Sequence, residues 1–211
     1  ILVFLGGAPA TAQECFAMIQ KNVVVAILRL DILTVLVMPV FCVMYAGFYA
    51  ALRRECWFLA LVSCASAMIG VGLILANASV TSLLYLADQY AAASSEARRM
   101  LLLAAGEAVI SNDMWHGSAA KMGGLLLQSA GVLISIAMLR STVFSKLIGY
   151  SGLVAHGLDL AHILLGFFWP KVAVLAMGVA GPLYLLWFPL VAKKLRELSR
   201  AQIPEIESVH V

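Results

Sequence analysis

Charge is scarce in this sequence. Only 12% of the 211 residues are Asp, Glu, Lys or Arg, while 63% are hydrophobic and mean hydropathy is +0.99. A soluble domain keeps about a quarter of its residues charged, so an ordinary water-soluble fold is excluded. The formal net charge of +3 is too small to signal a nucleic-acid partner, and the basic residues are better read as topology signals. Cysteine is limited to Cys15, Cys42, Cys56 and Cys64, with no CxxC or metal-ligand spacing. Three of the four sit in or beside apolar runs, where a free Cys packs as a small hydrophobe. There is no P-loop, no GxSxG, no HExxH and no internal repeat of the transporter kind.

Long apolar runs are what the chain has instead. A spanning helix needs about 20 apolar residues, and the length leaves room for five or six such helices. Five full spans are predicted at 23–52, 56–78, 116–139, 145–168 and 172–192, the first kinked at Pro39 and the last broken at Pro182 and Pro189. ILVFLGG at the amino end reads as the stump of a trimmed first helix, with a signal-peptide remnant as the alternative. Residues 9–22 read as a loop with a short amphipathic turn at Phe16, Met18 and Ile19. The segment 79–115 reads as two amphipathic helices split near Ser94–Ser95, with Glu96 as helix-start chemistry. The fold class is therefore an all-α polytopic transmembrane bundle: five full spans, a truncated first helix and an amphipathic outer segment. Residues 1–200 form one domain and 201–211 a cytoplasmic tail.

Lys and Arg in short connections set the orientation. With the carboxyl terminus inside, Arg53, Arg54, Arg140, Lys146, Lys193, Lys194, Arg196 and Arg200 lie inside. Lys21, Arg98, Arg99 and Lys171 then lie outside, an eight-to-four balance that puts the carboxyl terminus on the cytoplasmic side.

"LLYLADQYAAASSEARRMLLLAAGEAV", "SIAMLRSTVFSKLIGYSGLV" and "LYLLWFPLVAKKLREL" carry a resemblance to a family of small bacterial integral membrane proteins classed as a domain of unknown function. The resemblance covers about residues 20–196. Its most specific parts are Leu86, Tyr90, Ala93 and Arg99 in the outer segment and the inner-loop RSTVFSK. It implies about six spans and transfers no activity or site.

An ionisable residue within a span implies a partner or a function. Arg29, Asp31, His116, Lys121, His156, Asp159 and His162 are the candidates for a polar pocket, most of them in the outer half under a lid formed by 79–115. His156, Asp159 and His162 step at i, i+3 and i+6, an arc of about 120°, with a carboxylate beside each imidazole to fix its tautomer. Two readings stay open for the group: hydrogen-bonded glue between helices, or a cavity for a small apolar or amphiphilic molecule or a lipid. A metalloenzyme or haem protein is a further alternative. Zinc needs three ligands and an open site, which His116, Asp159 and His162 could supply, and a haem would need His116 facing His162; neither cofactor is favoured. An accessory subunit of a larger membrane complex is the last. Small-xxx-small pairs at Ala119/Ala120 with Gly123/Gly124, and Gly72 with Ala76, favour close packing, and Trp57, Trp115, Trp169 and Trp187 read as interfacial anchors.

Overall fold

In lipid every backbone polar group must be satisfied within its own segment, so apolar runs of this length become helices. The computed structural model describes residues 9–207, with side chains through Ala201, and the expected helix stump at 1–8 lies outside them. Nine helices form among the described residues: α1 (Ala12–Lys21), α2 (Val23–Arg29), α3 (Ile32–Leu52), α4 (Trp57–Leu75), α5 (Val80–Ala92), α6 (Glu96–Ser111), α7 (Ser118–Arg140), α8 (Lys146–Gly166) and α9 (Pro170–Glu207). There is no strand among them. The five helices opening at Ile32, Trp57, Ser118, Lys146 and Pro170 are long and apolar enough to cross a membrane. Their outward residues include Leu36, Val43, Leu61, Ile69, Leu175 and Leu185, each at least 45% exposed. Apolar surface on this scale faces lipid rather than water.

Three elements depart from the sequence expectation. Residues 12–21 are a helix, not a loop with a short turn. Thr11 caps it, its hydroxyl accepting from the Glu14 amide at 3.2 Å, while the Glu107 carboxylate accepts from the Ala12 amide at 2.8 Å. The span predicted at 23–52 is interrupted at Leu30–Asp31, where Leu30 leaves helical geometry at φ −80°, ψ −146°. Pro39 lies inside α3. Pro182 and Pro189, expected to break the last span, lie inside an unbroken α9 of 38 residues. Each proline removes one hydrogen bond, but the remaining ladder holds where no water competes for it. At about 1.5 Å per residue α9 is about 57 Å long, well beyond a hydrocarbon core of about 30 Å. The division of 79–115 into two helices does appear: α5 ends at Ala92, and Ser95 caps α6 by accepting from the Arg98 amide.

The chain gathers into two compact units, one from Ile1–Val40 with Gly72–Gly123, the other from Phe41–Val71 with Gly124–Val211. The core of the first is a stripe on α1, Ala12, Cys15, Phe16 and Ile19, packed with Ala26, Leu83 and Ala87. The i, i+3, i+4, i+7 spacing puts all four stripe residues on one face. Gly106 lets α6 approach: a Cβ there would stand 2.7 Å from the Ala12 Cβ and 2.8 Å from the Phe16 ring. Burial pushes the Cys15 thiol up to about 11.

In the second unit α4 meets α7 through the Ser63 hydroxyl, which donates to the Ala130 carbonyl at 2.6 Å. The close approaches lie at Gly131 against the His156 ring, Gly149 against Leu139, and Gly152 against the Trp187 indole and Ser135. Gly72, expected to mediate one, has nothing within 4 Å of its Cβ position. Trp187 is fully buried rather than interfacial, whereas Trp57, Trp115 and Trp169 are more than half exposed. The loops 53–56 and 141–145 are clasped by Glu55, whose carboxylate accepts from the Thr142 amide and hydroxyl, both at 2.7 Å. Those two bonds hold the Glu55 carboxyl below its ordinary value.

Candidate functional site

Of the residues singled out from sequence, Arg29, Asp31, His116 and Lys121 belong to the first unit and His156, Asp159 and His162 to the second. Asp31 is 2% exposed and caps α5. Its Oδ2 accepts from the Ser79 amide and, at 2.9 Å, from the Ser79 hydroxyl, while Oδ1 accepts from the Val80 amide at 3.2 Å. A buried carboxylate with three donors at a helix N-terminus is stabilised by those bonds and by the helix dipole. His116 is mostly exposed and its Nδ1 lies 2.9 Å from the Asp113 carboxylate, which also accepts from the Trp115 and His116 amides. Arg29 and Lys121 are both engaged with neighbours. Beside the Asp31 cap, a hollow of about 300 Å³ is lined by Asn77, Ser79, Ser82 and Asn112 over Ala76 and Ala108.

In the second unit a polar network joins three helices. α7 contributes Gln128, α8 contributes His156 and Asp159, and α9 contributes Tyr184. The Gln128 amide nitrogen donates to Asp159 Oδ2 at 2.6 Å, and its Oε1 faces His156 Nδ1 at 2.8 Å. The Tyr184 hydroxyl stands 3.1 Å from Gln128 Oε1, 3.1 Å from His156 Nδ1 and 3.2 Å from Asp159 Oδ2. One phenol is thus within hydrogen-bonding reach of an acid, a base and an amide. The hydrogen bonds to the Asp159 carboxylate come from Gln128 and Tyr184, which reach it from facing helices, and the Tyr184 hydroxyl also stands beside His156. His162 turns to α9, its Nδ1 lying 2.9 Å from the Ala173 carbonyl oxygen, which only accepts, so Nδ1 carries the proton.

The depth of this network follows from helix arithmetic. His156 is ten residues from either end of α8, about 15 Å, and so sits at the middle of its span. An aromatic shell surrounds it. The His156 ring meets Tyr184 at 5.1 Å and Trp187 at 4.8 Å between centroids, and Trp187 continues to Phe48 and Phe188. Gln128 is legible in the sequence as a polar side chain within an otherwise apolar span. Tyr184 and Trp187 were not singled out as site residues, although a tyrosine in mid-span, away from the interfacial belt where tyrosine concentrates, is the signal that could have found one of them.

Among the described residues no group of three or more His, Cys, Asp or Glu side chains could hold a metal ion, so the zinc reading of His116, Asp159 and His162 gains no support. A family model described as a domain of unknown function, DUF4386, matches residues 4–192. No curated protein and no solved structure matches the chain.

Proposed function

Since the chain belongs to DUF4386, a domain of unknown function, we propose from its own residues that it is a membrane-embedded binding protein whose polar centre takes a small molecule at mid-span. The observation that carries this is Asp159: a carboxylate at membrane depth, held by Gln128 and Tyr184 beside the buried His156. An ionisable group there is costly and marks a functional site by default. A set of convergent polar groups inside an aromatic shell is the usual composition of a ligand site. His156, Asp159 and His162 remain in the proposal and Tyr184 joins them, while Asp31 is committed to its helix cap.

We place the protein in a bacterial cytoplasmic membrane, as the resemblance implies, with its carboxyl terminus inside, on the eight-to-four balance of basic residues in the connections. α5 and α6 then lie on the outer face, as amphipathic helices at the membrane surface. The test is thermal unfolding of the detergent-purified protein against a panel of small polar and amphiphilic compounds. At least one should raise the melting temperature saturably in the wild type and fail to do so in Asp159→Asn and Tyr184→Phe. A panel with no such compound, or shifts equal in all three proteins, sinks the reading.

A further inference from the structure

Three buried side-chain polar atoms have no hydrogen-bond partner among the described residues: Tyr45 Oη, His156 Nε2 and Trp187 Nε1. All three residues are at most 3% exposed, and all belong to the second unit. Two of them sit on adjoining rings, His156 meeting Trp187 at 4.8 Å and 89°, while Tyr45 stands one ring removed, touching Phe48 at 5.6 Å, which in turn meets Trp187. Buried polar groups without partners are rare because desolvation goes uncompensated. Two on rings in direct contact, His156 and Trp187, point to a shared partner.

Their chemistry is specific. Gln128 spends its amide nitrogen on Asp159, so the atom facing His156 is its oxygen, which only accepts. The proton of His156 is therefore on Nδ1, and Nε2 presents a bare lone pair. Trp187 Nε1 is a donor only, and Tyr45 can do either. The neighbouring Ser135 hydroxyl, which lies with Trp187 against Gly152, already donates to the Gly131 carbonyl at 2.7 Å. A hydroxyl group is the smallest species that accepts from an indole N–H and donates to an imidazole nitrogen at once.

We propose that His156 and Trp187 bind a hydroxyl, that of water or of a small alcohol, and that hydroxylated molecules are the ligand class of the mid-span centre. This rests on the reading of that centre as a binding site. The test is proton NMR of the purified protein carrying 15N-tryptophan, with Trp57→Phe, Trp115→Phe and Trp169→Phe variants assigning the Trp187 indole by elimination. If water is the source, the indole proton exchanges in D2O about 100-fold faster than the backbone amides of α8. If an alcohol is the source, the indole is protected but its resonance shifts saturably with glycerol or 1-butanol. An indole that exchanges no faster than those amides and ignores both alcohols overturns the proposal. Should that occur while a compound still stabilises the wild type and not Asp159→Asn, the binding reading stands and only the hydroxyl assignment fails.

Discussion

Replacing Gln128 with Leu removes in one step the donor to Asp159 and the acceptor that faces His156 and Tyr184. Leaving buried partners unsatisfied costs about 1–3 kcal/mol, so Gln128→Leu should unfold at correspondingly lower denaturant in an SDS titration; unchanged stability would mean the network does not hold the helices. Gly152→Ala should destabilise by a similar amount, about 1–3 kcal/mol, because its Cβ would collide with the Trp187 indole and the Ser135 hydroxyl. At the surface, Glu55 gives a pH dependence of known sign. Its folded carboxyl is lowered by the Thr142 bonds, so its contribution is present above the ordinary carboxylate value and is lost as pH falls through the folded one. Melting curves of wild type and Glu55→Gln should therefore differ at neutral pH and converge as the pH drops below the carboxylate range; parallel curves throughout would refute the clasp.

At the scale of elements, capping decides boundaries that hydropathy does not see. The apolar run from Val23 to Leu52 reads as one helix by composition, yet it breaks at Leu30–Asp31 where Asp31 turns to the amide groups of Ser79 and Val80. Asp31→Ala should cost about 1–2 kcal/mol, as a lost N-cap does, and hydrogen exchange should rise first at Ser79 and Val80. Protection unchanged at those two amides would show that α5 does not depend on the cap. α1 carried its own start signal, Thr11 followed three residues later by Glu14. It reads as a loop only when its few strongly apolar residues are counted without the small ones, Ala12 and Cys15, that complete the buried stripe.

For the whole molecule, the alternation of basic connections predicts which loops share a side. The clasp between loops 53–56 and 141–145 joins two that the alternation places together. Single cysteines introduced at Arg54 and Thr142, in a background with the native cysteines replaced, should label from the same face of sealed vesicles. Cysteines at Trp115 and Trp169 should label from the opposite face. Labelling of both pairs from one face would overturn the assigned topology.

Composition and hydropathy by themselves determined that the chain is helical and spans a membrane, because lipid offers the backbone no partner other than itself. They also marked His156, Asp159 and His162, since charge inside a span is legible wherever it occurs. Only the tertiary structure decided who meets them. Gln128 and Tyr184 stand 28 residues to either side of His156 in sequence, and their contact depends on the rotation and register of three helices. Those are set by close approaches at Gly131 and Gly152, through side-chain shape that no one-dimensional period encodes.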